Sequence, residues 1–345
     1  MPRNSLKFTS QFSIGNHEIG PDQPIFVIAE IGFNHDGDIE LAKEMVHAAA
    51  ESGASAVKFQ TYKADSLVVS NAPHFQTIQD GELDAEAHNT LCDFANRHSV
   101  VFLSTPYCAD SVALLESIGV PAYKIASMDL TNIELLRTIA STGKPIILST
   151  GMANLTEIHA SLREIQSEGN DKVALLHCMS KYPTSLDECS LEFIDILKNT
   201  FTLPIGYSDH CIGTAAAIAA GSLGISILEK HFTIDKTLDG PDHCHSADPI
   251  DLQNIMRILR LLHTTASRHS VSLDNRVDKA FIAEYRRGLY AKSDIAPDSI
   301  IGDEMIKSVR PQHGALSTNN YSQIVGKKSR KQISINHALT WEDVY

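Results

Sequence analysis

Along most of the chain, short apolar runs rich in β-branched residues alternate with longer segments whose apolar residues recur every three or four positions. Eight such runs fall at residues 25–32, 56–62, 100–107, 122–127, 145–152, 172–178, 204–210 and 226–233. Between them, Leu41, Met45, Ala48 and Ala49 share one face at helical spacing, as do Leu114, Leu115 and Ile118. Near-continuous apolar strands are those of a parallel sheet covered on both faces. Eight of them, alternating with helices over roughly 210 residues, predict an α/β fold: a (β/α)8 TIM barrel. An open doubly wound sheet would usually carry a glycine-rich phosphate loop after its first strand, and neither the GxGxxG nor the P-loop pattern occurs.

The pattern changes near the C-terminus, and charge sharpens the boundary. The whole chain of 345 residues carries a formal charge of −13, yet residues 285–345 hold nine basic against six acidic residues. The asymmetry predicts two units: a barrel with an N-terminal cap over 1–265, a polar linker over 266–284 and a small domain over 285–345. The acidic balance argues against a protein whose task is gripping nucleic acid. The start of the chain is polar, no stretch approaches a membrane span, and the six cysteines form no CxxC pair, so a cytoplasmic protein with reduced thiols and no membrane partner is expected. The basic run 327–331 is expected to be a solvated edge.

Each apolar run ends in chemistry. The first ends in Glu30, the second carries Lys58 and Gln60, the third Thr105, the fourth Lys124 and Ser127, and the fifth Ser149. The sixth ends in His177-Cys178, expected to be core, the seventh in Ser208-Asp209-His210, and the eighth in Glu229-Lys230-His231. In a parallel barrel these are the ends where active sites lie. Two lysines with hydroxyls suit a phosphate or carboxylate. Two histidines on neighbouring strands, with Asp209 or Asp242, can hold a divalent metal. Glu30 can act as a base or stabilise a developing cation. The set suggests metal-assisted carbon–carbon bond formation with a phosphorylated carboxylate. The same residues allow a metal-free aldolase with a Schiff base on Lys58 or Lys124, and a non-catalytic scaffold with a ligand-binding tail.

Several strings, taken in order, resemble the sialic acid synthase family. They include Ile28-Ala29-Glu30-Ile31-Gly32, Val57-Lys58-Phe59-Gln60-Thr61, Tyr123-Lys124-Ile125-Ala126-Ser127, Gly206-Tyr207-Ser208-Asp209-His210, Glu229-Lys230-His231-Phe232-Thr233 and Gly240-Pro241-Asp242-His243. The tail, with Ser293-Asp294-Ile295, Val309-Arg310-Pro311 and Gly326-Lys327-Lys328, resembles that family's C-terminal SAF domain, similar to type III antifreeze protein. The resemblance implies condensation of phosphoenolpyruvate with the aldehyde form of an N-acetylated aminosugar, giving a nine-carbon 2-keto sugar acid and phosphate. It implies that Lys58, Lys124, Thr105, Ser127, Ser149 and Ser208 hold phosphoenolpyruvate. His210 and His231 would ligate Mn2+ or Mg2+, Gln60, Tyr182 and Asp242 would hold the sugar, and Glu30 would stabilise the cationic carbon. Arg310 would reach the other subunit's site, which implies a domain-swapped homodimer.

Departures from the family pattern leave the acceptor open between N-acetylmannosamine, its 6-phosphate and a bacterial diamino sugar of legionaminic or pseudaminic type. Segment 65–100 is shorter than in many relatives, which implies a trimmed lid. Met128-Asp129 replaces a frequent Gly-Glu, and Ser180 stands where some members have Asn. The Gly-Pro-Asp-His run favours the sialic or legionaminic type over the pseudaminic. Asp242-His243-Cys244-His245 is expected to be a substrate-touching loop rather than a second metal site.

Overall fold

All eight apolar runs are strands of one parallel sheet in the computed structural model, which describes residues 6–266 and 278–345. Two short strands precede them, β1 (Phe12–Ile14) and β2 (His17–Ile19), paired as an antiparallel hairpin. The barrel strands are β3 (Phe26–Glu30), β4 (Ala56–Thr61), β5 (Val101–Pro106), β6 (Tyr123–Ile125), β7 (Ile146–Ser149), β8 (Val173–Cys178), β9 (Ile205–Asp209) and β10 (Ile227–His231). Their order is β5-β4-β3-β10-β9-β8-β7-β6, and β5 and β6, the ends of that order, lie against each other, so the barrel is nearly closed.

Strand parity separates two cores. Outward residues such as Val27, Ala29, Val57, Phe59 and Leu228 pack against the helices, together with Met45, Val46 and Ala49 of helix Ile39–Glu51. That helix buries Ala42, Met45, Val46 and Ala49, while Leu41 and Ala48 are only half-buried at its margin. In helix Ala109–Ile118, Val112 and Leu115 are the buried pair, with Ile118 at the edge. The helices start at sites their sequences mark: Asp38, Asp84 and Asn132 each accept backbone N–H bonds, and Asn154 and Glu157 form a capping box.

Inward residues form the second core, and their chemistry changes along the barrel axis. At the N-terminal end Phe26, Ile28, Ala56, Leu103, Ala122, Ile147 and Ile227 are apolar, and the β1–β2 hairpin inserts Phe12, Ile14 and Ile19 against them. The hairpin thus plugs the bottom of the barrel. Two residues further along each strand the same face becomes polar, with Glu30, Lys58, Thr105, Lys124, Ser149, Ser208 and Glu229 buried. No helix among the described residues is long and apolar enough to cross a membrane.

A second compact unit starts after residue 267. Residues 267–277 of the expected linker lie outside the described residues. The rest of that linker is helix Lys279–Tyr285, capped by Asp278, and Ala283 O accepts bonds from the N–H groups of Gln312 and His313, so the helix is part of the second unit. Strands β11 (Gly288–Ala291) and β12 (Ile306–Val309) pair antiparallel over a core of Leu289, Ala291, Ile295, Ile301, Ile306, Ile324, Ile333, Leu339 and Val344. The basic run at 327–331 is an edge partly tied down: Lys331 pairs with the buried Asp343 at 2.8 Å, and Arg330 Nε donates to Val344 O.

Candidate active site

The polar end of the barrel opens into a cavity of about 540 Å³. Twelve of the residues given a role from the sequence line it. Glu30, Lys58, Thr105, Lys124, Ser149 and Ser208 supply its deep wall, Gln60 and Ser127 its sides, and Tyr182, His210, His231 and Asp242 its rim. A further one, Arg310, belongs to the second unit, where its guanidinium lies 5.9 Å from the centre of the Tyr285 ring. The 65–100 segment is not reduced to a bare loop. It carries helices Ala64–Leu67, Phe75–Asp80 and Ala85–Arg97, and Leu67, Val68, His74, Thr77 and Ile78 face the cavity.

Adjacent strands bring opposite charges into register. Glu30 of β3 lies beside Lys58 of β4 and beside His231 of β10. Lys58 Nζ is 2.6 Å from Glu30 Oε2, 3.6 Å from Glu229 Oε2, and donates to Thr105 Oγ1 at 3.1 Å. Lys124 Nζ reaches Glu229 Oε1 at 3.1 Å, and Ser208 Oγ donates to the same oxygen at 2.8 Å. Gln60 Nε2 donates to Glu30 Oε1 at 3.4 Å and itself accepts from Tyr107 OH. Two lysines and two carboxylates thus share one buried network. Gly32 leaves room for it: its φ of +54° suits glycine, and a Cβ there would stand 3.2 Å from Glu30 Oε1.

The network's electrostatics are uneven. Burial raises Glu30 to about 7, only partly offset by Lys58. Burial acts the same way on Glu229, but Lys124, Lys58 and the Ser208 bond outweigh it and hold it down to about 2. Lys58 loses from burial and gains more from Glu229 and Glu30, so its ammonium form is favoured; burial of Lys124 wins and lowers it.

At the rim, Tyr182 packs over His210 with ring centres 4.1 Å apart, and His210 and His231 are 5.7 Å apart. Burial pushes His210 down to about 4, and burial also holds His231 well below the usual histidine value, so both are neutral imidazoles at pH 7, the form a metal ion needs. His210 Nδ1 is paired with Met179 O at 2.6 Å. His231 Nδ1 and His245 Nε2 are buried without a hydrogen-bond partner among the described residues, each 3.5 Å from the carboxylate of Asp242. Such a donor set fits a divalent cation. Burial raises Asp242 to about 6.

Asp209, the other carboxylate considered for a metal, is committed elsewhere. It faces outward and pairs with Lys230 at 2.7 Å. His177 is core, stacked on Tyr207 and bonded to Cys189 O, whereas Cys178 also lines the cavity. Asp129 is buried behind the cavity wall and accepts from Asn132 Nδ2 at 3.1 Å. Three residues that sequence reasoning did not assign to the site belong to its geometry: Glu229, Tyr107 and His245. Strand parity could have found Glu229, which lies two residues before His231 and so faces the same way. His245 lies in the Asp242-His243-Cys244-His245 string that the sequence marks as a substrate-touching loop, which gives it no individual role.

A nearly closed parallel barrel with a buried, paired-lysine pocket at its C-terminal mouth defines a barrel enzyme for a small anionic substrate. Comparison with known proteins narrows this. Residues 45–270 match the NeuB family and residues 286–344 the SAF domain, and the chain belongs to the NeuB family. It is 37% identical over 344 residues to an N,N'-diacetyllegionaminic acid synthase of Legionella pneumophila, covering 94% of this chain and 96% of that one. It is 32% identical to a pseudaminic acid synthase of Campylobacter jejuni, covering 96% of this chain and 99% of the relative. The crystal structure of an N-acetylneuraminic acid synthetase from Leptospira borgpetersenii, in complex with citrate, superposes with a TM-score of 0.75 at 32% identity, covering 80% of this chain and 95% of that one.

Proposed function

We propose that this protein condenses phosphoenolpyruvate with the open-chain aldehyde of an N-acetylated aminosugar of the N-acetylmannosamine type, yielding a nine-carbon 2-keto sugar acid and inorganic phosphate. The observation that carries the reading is the pair Lys58 and Lys124, flanked by Thr105, Ser127, Ser149 and Ser208, at the floor of a cavity rimmed by two neutral histidines. The floor would hold the phosphate and carboxylate. Gln60, Tyr182 and Asp242 would orient the sugar above it. A divalent cation, Mn2+ or Mg2+, held by His210 and His231 would polarise the aldehyde oxygen.

C3 of phosphoenolpyruvate bonds to the aldehyde carbon, whose oxygen takes up a proton, and C2 becomes cationic. Ionised Glu30 stabilises that centre and accepts a proton from the water that adds to it. The tetrahedral intermediate collapses to the ketone with cleavage of the C–O bond to phosphate. The ammonium form favoured at Lys58, 2.6 Å from Glu30, supports this reading over a Schiff base there.

The legionaminic relative at 37% identity favours a second acceptor, a diamino sugar of legionaminic type. We extend the proposal to a domain-swapped homodimer in which Arg310 of the partner subunit meets the N-acetyl group, acting in the cytoplasm where phosphoenolpyruvate is made. The test is phosphate release from phosphoenolpyruvate with a panel of N-acetyl sugars, with and without EDTA. Turnover with one sugar class and its loss on chelation are expected; no turnover with any sugar overturns the reading. In the same assay, verified heterodimers of Arg310→Ala and Glu30→Gln chains should regain activity, and their failure to do so removes the shared site.

A further inference from the structure

Tyr107 stands just past the end of β5, where its N–H donates to Thr61 O at 3.3 Å and continues the β4–β5 pairing. Its side chain lines the cavity. The ring of buried Tyr62 meets it edge to face, with centres 6.1 Å apart, and Tyr62 is itself tied by its hydroxyl to Ile78 O at 3.1 Å. Packing of this kind needs only a ring, and phenylalanine would supply it. The hydroxyl adds the bond to Gln60 Oε1 at 3.2 Å. Burial and the charge of Glu30 push the phenol well above its ordinary value, so it keeps its proton and donates.

We propose that Tyr107 is a positioning residue that acts through Gln60: its hydroxyl pins one end of the amide so that the other end, Nε2, holds the Glu30 carboxylate. The last torsion of a glutamine is broad, so the amide plane is set by its partners. The bond from Gln60 Nε2 to Glu30 Oε1, at 3.4 Å, is longer than the usual range and holds the amide only weakly by itself. With Oε1 occupied by the phenol, the NH2 group turns toward the carboxylate; the reversed amide would set two acceptors against each other. The arrangement matters most once substrate is present. A phosphate or carboxylate that draws Lys58 away takes from Glu30 its 2.6 Å partner at Oε2. Gln60 then remains at Oε1. As a neutral donor it orients the carboxylate without cancelling the charge that faces the cationic carbon.

The inference rests on the role proposed for Glu30, and its test separates the two. Tyr107→Phe keeps the ring. In phosphate-release assays its kcat should fall about 10–100-fold, the scale of a misplaced reacting group, while KM for phosphoenolpyruvate stays within about twofold because the lysines still hold it. Gln60→Met should cost at least as much, and adding Tyr107→Phe to it should cost nothing further, as for residues acting as a unit. A Tyr107→Phe protein with the parent's kcat, losses that multiply in the double variant, or a lowered melting temperature with kcat and KM both altered overturns the inference. Crystal structures of the parent and Tyr107→Phe proteins read Gln60 without turnover. Gln60 is expected to bridge Tyr107 and Glu30 in the parent and to leave Glu30 in the variant; a Gln60 that stays in place overturns the inference. Failure of the synthase reading shows differently, as no phosphate release by the parent with any sugar, and the crystal structures then still decide what holds Gln60.

Discussion

Two buried lysine–carboxylate pairs lie on neighbouring strands of the same barrel, and they differ in how completely they are satisfied. Lys230 and Asp209, 2.7 Å apart on the outer face of β10 and β9, are closed on themselves. Lys230 Nζ also donates to Cys211 O, and Asp209 Oδ1 accepts from Cys211 N–H and Tyr207 OH. Lys58 and Glu30, 2.6 Å apart on the inner face, share their neighbourhood with Glu229 and Lys124, and the whole set faces a cavity. The outer pair has one arrangement, its partners all fixed in β9, β10 and Cys211 just after β9. The inner set has two cations and two anions that a small anion can rearrange, since each lysine can exchange a carboxylate for a phosphate. A buried ion pair is thus structural or functional according to what else it touches, not according to its distance.

Substitutions break the comparison in opposite ways. Lys124→Met should leave the fold intact and lower kcat/KM for phosphoenolpyruvate by about 10²–10³-fold, the usual cost of removing a group aimed at developing charge; steady-state phosphate release measures it. Lys230→Met should destabilise the protein by about 3–5 kcal/mol, because it strands a buried carboxylate, while kcat of the folded fraction stays near the parent value. Adding Asp209→Leu should recover most of that stability in urea unfolding. A Lys230→Met protein as stable as the parent would show the outer pair to be dispensable. The smallest effect is one of pH. Glu30, raised to about 7 by burial, is ionised only above that value, so if its carboxylate is required, kcat/KM should fall about tenfold per pH unit below about 7. Glu229, held down to about 2, contributes no limb in that range. Glu30→Gln should abolish the limb along with most activity.

The architecture was legible because parallel strands buried on both faces must be apolar almost throughout, so residues such as Val27, Ile28 and Ala29 leave little choice. The polar strand ends were legible for the complementary reason: Glu30, Lys58 and Lys124 are costly to bury without a use. What escaped depends on direction and on distant ties. Lys230 and His231 look equivalent in a string, yet pleat parity sends one into the outer layer and the other into the cavity. The face of helix Ile39–Glu51 was misjudged by one position, with Ala42 and Val46 buried rather than Leu41 and Ala48, because small residues cover the sheet at closest approach. His245 meets His231 only because Asn34, from the other end of the barrel sequence, pins the loop between them.

The β1–β2 hairpin has a kinetic consequence. With Phe12, Ile14 and Ile19 stopping the bottom of the barrel, the cavity is a blind well. Glu229 lies about 7 Å deeper than His231 along β10, two residues at the usual strand rise. The ligand held by the lysines must therefore load before the one held at the rim, and the larger product must clear the mouth before a fresh anion can descend. Initial-rate measurements should show compulsory-order binding with the small anion leading, and the rim-bound partner should trap it in the well.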